Sequence, residues 1–196
     1  MSRRLPPPVL PEHALPPSAR ARGRRTLMRL GAIAVAGIAL RPILADALPT
    51  GEQAPDLALR TDSGTGTLSE LRGRVVWLDF WASWCGPCRQ SFPWMEAMQQ
   101  RYGSQGLQVV ALNLDAKAES ARRFLAEHRA TFTVAFDPSG DSARRYAVRA
   151  MPTSVLIGAD GRVRTVHAGF RDADRPTLEA ALRDALAARA SMAKAS

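Results

Sequence analysis

Val75-Val76-Trp77-Leu78-Asp79-Phe80-Trp81-Ala82-Ser83-Trp84-Cys85-Gly86-Pro87-Cys88-Arg89 is the stretch on which the reading of this chain turns. Its first half is almost wholly apolar and rich in β-branched and aromatic residues, the pattern of a strand covered on both faces. It ends in Cys-Gly-Pro-Cys, and a helix-compatible segment follows from Gln90 to Arg101, with Phe92, Met95, Met98 and Tyr102 spaced three or four apart. Helix N-termini carry unpaired N–H groups and partial positive charge, which stabilise a thiolate. The pattern therefore places Cys85 at a helix start as a nucleophile. Cys88 falls one turn later on the same face, close enough to close a disulfide. Pro87 fits the first helical turn, where its missing N–H is not needed.

These are the chain's only two cysteines, and that narrows the chemistry. A structural zinc site needs about four ligands, and His13, His128 and His167 make no cluster beside the pair. A c-type haem requires His directly after the second cysteine, where this chain has Arg89. A purely structural disulfide at this spacing closes too small a loop to stabilise much on the loop-entropy account. What remains is a redox-active dithiol, with no metal and no cofactor expected.

Outward from this stretch, the chain alternates. Leu107 to Leu114 reads as a second buried strand, and Ala121, Phe124, Leu125 and His128 fall at helical spacing. His128 is expected on that helix surface rather than as a ligand. Thr133 to Phe136 makes a third strand, Asp137-Pro138-Ser139-Gly140 a turn, and Asp141 to Val148 a short helix. Ser154 to Ile157 and Val163 to His167 flank Gly158-Ala159-Asp160-Gly161, a hairpin signal. Pro176 to Ala190 carries Leu178, Leu182 and Leu186 along one stripe of a closing helix. Upstream, Leu48 to Leu59 is extended, Thr61-Asp62-Ser63-Gly64-Thr65-Gly66 is a turn cluster, and a short hairpin closed by Thr67-Leu68 leads into a helical turn at Ser69 to Leu71. The order predicts an α/β fold: a central mixed β-sheet with helices on both faces.

The first 47 residues stand apart. Residues 1–25 are rich in proline and arginine and are expected to be disordered. Arg24-Arg25-Thr26-Leu27-Met28-Arg29, the apolar run Leu30 to Leu40, Arg41-Pro42 and Ala45-Asp46-Ala47 follow the order of an export signal, and the paired arginines resemble a twin-arginine type. The apolar run is too short to span a bilayer, although retention as an anchor stays open. Eight of the 27 basic residues but only two of the 18 acids lie here, leaving the remainder at +3 of the formal +9. The basic balance is thus largely a leader property, and nucleic acid is not an expected partner. The domains are expected at 1–47, an export signal, and 48–196, one domain with one core.

Trp84-Cys85-Gly86-Pro87-Cys88 resembles the active site of the thioredoxin superfamily. Over roughly residues 50 to 190 the layout resembles the TlpA/ResA-like branch of exported thiol-disulfide oxidoreductases. The matching pieces are Ala54-Pro55-Asp56-Leu57, Leu68 to Val76, Phe80 to Arg89 and, far downstream, Met151-Pro152-Thr153. The resemblance implies a thioredoxin-like fold with an N-terminal hairpin and an internal α/β insertion near 116–136. Met151-Pro152-Thr153 resembles the loop that carries a cis-proline opposite the cysteines, where the Met151 backbone pairs with an extended substrate. Asp79 lies inside the apolar strand, where an unpaired carboxylate is unfavourable and its pKa should rise. Its position is similar to the buried acid of thioredoxin, which suggests a proton acceptor for Cys88; a carboxylate merely satisfied by buried hydrogen bonds is the alternative. Trp84 is expected beside Cys85 and partly exposed, Trp81 in the core.

Two departures from the branch stand out. TlpA/ResA-like sequences often have Asn where this chain has Asp79. They usually carry a glutamate three residues after the second cysteine, and here that position is Ser91, so roles assigned to that acid do not transfer.

By resemblance, the expected activity is reduction of disulfides in client proteins outside the cytoplasm, in the periplasm or its equivalent. Clients would be apocytochrome c or copper-site cysteine pairs. A membrane thiol donor of the DsbD/CcdA kind would recharge the protein, and membrane contact would come only through a retained leader. Alternatives are a disulfide-donating oxidase of the same fold, a peroxidase resembling peroxiredoxins, and a Sco-like copper chaperone. Peroxiredoxins place the reactive cysteine in a different motif. The Sco family uses Cys-x-x-x-Cys with a distal histidine, for which His167 would have to serve.

Overall fold

A computed structural model describes residues 48–195; the expected export signal and His13 lie outside the described residues. Ala58–Thr61 (β1) and Gly64–Thr67 (β2) form an antiparallel hairpin, followed by a single 3-10 turn at Leu68–Leu71. Then come Val75–Trp81 (β3), Gly86–Tyr102 (α1), Leu107–Asn113 (β4), Ala118–Glu127 (α2), Thr133–Phe136 (β5) and Asp141–Arg145 (α3). Thr153–Ile157 (β6), Val163–Ala168 (β7) and Arg175–Ala195 (α4) close the chain.

The main sheet has strand order β5-β4-β3-β6-β7. β3, β4 and β5 run parallel, whereas β6 is antiparallel to both β3 and β7. This is the mixed sheet that the alternation predicts. All seven residues of β3 are buried, as its unbroken apolar run requires at the centre of a sheet covered on both sides. Because strand side chains alternate, Trp77 and Trp81 join α1, α2 and α4 in one core. Val76, Leu78 and Phe80 join the N-terminal segment, Tyr146 and β7 in the other.

Two of the boundaries that differ from expectation have a local reason. The turn cluster at 61–66 contracts to Asp62 and Ser63, since Gly64, Thr65 and Gly66 pair with Thr61, Arg60 and Leu59. Thr61 pins that short connection by donating its hydroxyl to the Gly64 carbonyl at 2.9 Å. α3 ends at Arg145 rather than Val148 because Ala147 turns left-handed (φ 50°), and the Val148 N–H folds back to the Ala143 carbonyl at 2.9 Å. α1 begins at Gly86 with Cys85 as its cap, where the sequence places the helix start.

Candidate active site

Cys85 occupies the cap position of α1 with extended backbone (φ −81°, ψ 110°), and its Sγ accepts the backbone N–H of Cys88 at 3.2 Å. The strand-to-helix junction thus aims a helix N–H at one sulfur, as the sequence predicts. Cys85 and Cys88 are joined as a disulfide with Cα atoms 5.3 Å apart. Both are buried, but unequally: 5 % of Cys85 and 1 % of Cys88 is accessible. Cys85 is the more open of the two. Gly86 and Pro87 form the exposed first turn of α1.

The loop before Cys85 is held from below. The Ser83 N–H donates to Asp115 Oδ2 at 3.0 Å, and Asn113 Nδ2 donates to the same oxygen at 2.9 Å. Asn113 Oδ1 in turn accepts the Asp115 N–H at 3.0 Å, so two buried polar residues at the end of β4 brace the approach to the cysteines. From above, Arg89 donates to the Ser83 carbonyl at 3.3 Å and lies 5.7 Å from the Phe124 ring centroid. Trp84 projects from this loop, 71 % exposed, whereas Trp81 is fully buried with ring centroids 4.6 Å from Phe92 and 5.1 Å from Phe124. The two tryptophans divide between surface and core as expected. Ser91, which stands in place of the family's glutamate, is buried and donates to the Cys88 carbonyl at 3.0 Å.

Asp79 is fully buried in the middle of β3. Alternation puts its side chain between Trp77 and Trp81, on the sheet face that carries α1 and the two cysteines. Its Oδ1 accepts the Ser154 hydroxyl at 2.6 Å, and its Oδ2 has no hydrogen-bond partner among the described residues. Burial pushes the carboxyl up to about 7, against a smaller downward pull from the Ser154 hydroxyl. A buried carboxyl with one free oxygen and a pKa near neutrality can accept or give up a proton at little free-energy difference.

The Met151-Pro152 bond is cis, as the loop's resemblance implies. The β3–β6 register, with Phe80 opposite Thr153, brings Pro152 level with Trp81. Met151 packs against the core that contains both cysteines, so the loop and the α1 terminus share one end of the sheet. Pro152 is fixed by the Gly169 N–H on its carbonyl at 2.7 Å, and the Thr153 hydroxyl donates to the Ala150 carbonyl at 2.7 Å. The Met151 main chain makes no hydrogen bond among the described residues.

The two described histidines have other partners. His128 caps the end of α2 and stacks on Phe124 with centroids 4.2 Å apart. His167 sits on β7, its Nε2 3.4 Å from Asp174 Oδ2. Among the described residues, no group of three or more His, Cys, Asp or Glu is arranged to hold a metal. Ser154, Asn113 and Asp115 are the site residues that the sequence reading misses. Only the polar pair at 113 and 115, closing an otherwise apolar strand, offered a local signal.

A protein-family model described as Redoxin matches residues 49–182. The thiol-disulfide oxidoreductase ResA of Oceanobacillus iheyensis is 34 % identical over 139 residues, covering 68 % of this chain and 71 % of its own. The thioredoxin-like protein YneN of Bacillus subtilis is 38 % identical over 123 residues, covering 61 % and 71 %. Among solved structures, a Chlorobium tepidum protein carrying the provisional name thiol:disulfide interchange protein DsbE superposes with TM-score 0.70 at 56 % identity. That match covers 71 % of this chain and 99 % of the other.

Proposed function

The chain belongs to the Redoxin family and is a thiol-disulfide oxidoreductase of ResA/DsbE type, and from that premise we propose that it is exported and reduces disulfides of client proteins through Cys85 and Cys88. The observation that carries this reading is the Cys85 sulfur at the mouth of α1, with a helix N–H on it at 3.2 Å. Such a position favours the thiolate, and the thiolate is the nucleophile. Trp84, Gly86 and Pro87 form the exposed surface around it.

In the reducing direction the Cys85 thiolate attacks one client sulfur. A Cys85–client bond forms as the client disulfide breaks, and the departing client thiolate takes a proton from solvent. Cys88 then loses its proton to Asp79 and attacks the Cys85 sulfur. The second client thiolate leaves, and the two electrons that opened the client disulfide have come from the Cys85/Cys88 pair. Asp79 suits this task because a base works best with a pKa near the working pH, and burial raises this carboxyl to about 7. The Met151-Pro152-Thr153 loop holds the client, with the unpaired Met151 main chain meeting an extended segment.

Residues 1–47 act as the export signal and 48–196 as the catalytic domain in an extracytoplasmic compartment. No helix of the described residues is long and apolar enough to cross a membrane. Clients are proteins with cysteine pairs, such as apocytochrome c or copper-site precursors, and a membrane donor of the DsbD/CcdA kind restores the dithiol. The deciding measurement is the Cys85–Cys88 potential in a glutathione buffer. A value near the thioredoxin end, roughly −270 mV, is expected, and one near −120 mV would make the protein an oxidant instead.

A further inference from the structure

The sheet face that carries the cysteines is mostly apolar, yet at one register it is crossed by a line of polar side chains. Asp79 on β3 lies directly opposite Ser154 on β6, and Ser154 lies directly opposite His167 on β7. Directly opposed residues point to the same face with Cβ atoms about 4.5–5.5 Å apart, within reach of a hydroxyl–imidazole hydrogen bond. Ser154 is buried and donates to Asp79 Oδ1 at 2.6 Å. His167 is the first member of the line to reach solvent, with 27 % of its side chain accessible. Its Nε2 is buried without a hydrogen-bond partner and faces Asp174 Oδ2 across 3.4 Å. Asp174 is itself held, since Oδ2 accepts the Arg171 N–H at 2.9 Å.

A fully buried base has a problem that an exposed one does not. Asp79 can take the Cys88 proton once, but it has to release that proton before the next turnover, and no water-facing surface of its own allows this. We infer that Ser154 and His167 form a proton relay that carries the proton from Asp79 to the edge of the sheet, beside Asp174. The inference rests on the reading of Asp79 as the base for Cys88.

The step balances as follows. The protonated Asp79 carboxyl turns its O–H toward Ser154 Oγ. Ser154 accepts that proton while its own hydroxyl proton passes to the facing nitrogen of His167. The imidazolium then passes its Nε2 proton to the facing Asp174 carboxylate, whose partly open side chain releases it to water, and the hydroxyl swings back to donate to the Asp79 carboxylate. Among the described residues Asp174 is the charged group in contact with His167. Asp79 lies on the sheet face that carries the cysteines, and burial and the Ser154 hydroxyl act on its acidity. Ser154 and His167 are thus positioning and relay residues, while the cysteines and Asp79 keep the chemistry.

The test is the rate at which a mixed disulfide between Cys85 and a client thiol resolves, followed across neutral pH in the full chain. His167→Ala and Ser154→Ala are expected to slow it by about tenfold, below the full loss of a direct acid–base group. Free imidazole should restore His167→Ala, where the missing ring is at the partly open edge, but not Ser154→Ala. His167→Gln, which fills the space without titrating, should behave as His167→Ala does and guards against a folding defect. Slowing of His167→Ala and His167→Gln that imidazole leaves unrepaired would make His167 a packing residue and overturn the relay. Wild-type rates in both, with Asp79→Asn slow, would overturn it too and leave Asp79 as the base. Wild-type rates in Asp79→Asn as well would bring down the reading of Asp79 itself.

Discussion

Behind β3, Val76, Leu78 and Phe80 meet Leu57, Leu59, Val110, Val155 and Ile157 in a core of aliphatic and aromatic side chains. In front of it, Trp77 and Trp81 flank a buried Asp79, and Asp115 lies under the active-site loop. The two faces share their strands and differ in what they bury. The rear face is assembled chiefly for packing, so most of its contribution scales with apolar area removed from water. The front face gives up part of that gain to hold ionisable groups beside the cysteines. The comparison teaches that the Asp79–Ser154 pair is set into the sheet at the expense of stability, a cost that the proposed role of Asp79 as a base accounts for.

Truncating the rear face should produce the largest change. Phe80 is fully buried and packs on Tyr146 with centroids 5.2 Å apart, so Phe80→Ala should lower unfolding free energy by about 5 kcal/mol in urea titrations. The Cys85–Cys88 potential and the turnover per folded molecule should stay near wild type. A shifted potential in the variant that remains folded would break the division between the faces.

Asp79→Asn should act in the opposite sense. The folded carboxyl sits at about 7 against an ordinary value of 3.8. Between those values the folded chain keeps a proton that the unfolded chain has released. Stability of the oxidised wild type should therefore fall as pH rises from about 4 to about 7 and level off above. Removing the ionisation should raise stability at pH 8 by about 4 kcal/mol, with the gain vanishing toward pH 4. Mixed-disulfide resolution should slow in the same variant. Denaturant titrations at acidic and basic pH, beside single-turnover kinetics, would show whether one residue carries both effects; equal stability gains at both pH values would remove the charge from the explanation.

How far the sequence leads depends on how local each signal is. β3, the Cys-Gly-Pro-Cys cap, the β6–β7 hairpin and the leucine stripe of α4 are written in consecutive or periodic residues, and the structure has them where the pattern puts them. The end of α3 was not legible, because a left-handed Ala147 terminates it where a glycine would have announced the stop. Ser154 was not legible as the partner of Asp79 either. The two are 75 positions apart and meet only through the pairing of β3 with β6, which a hydroxyl inside an apolar strand does not specify. The Asn113–Asp115 brace shows the same limit: its polar residues are visible, but their target, the Ser83 N–H, lies 32 positions upstream.

The smallest effect sharpens the comparison by placing a single hydroxyl on each face side by side. Tyr146 on the rear face donates its hydroxyl to the Pro55 carbonyl at 2.7 Å, much as Ser154 on the front face donates to Asp79 at 2.6 Å. Tyr146→Phe keeps the ring that packs on Phe80 and leaves one partly buried carbonyl unpaired, so it should cost about 1 kcal/mol of stability. Because Pro55 offers a neutral acceptor with nothing to titrate, the loss should be the same at every pH and should not touch the rate of mixed-disulfide resolution. Ser154→Ala removes a bond of similar length, but from a carboxyl whose ionisation that bond favours. Its effect should grow as pH rises through neutrality, because the hydroxyl stabilises only the charged form. Denaturation of the two variants at pH 5 and pH 8 separates the cases, and parallel pH dependence in both would mean that Asp79 is no more than another buried hydrogen-bond acceptor.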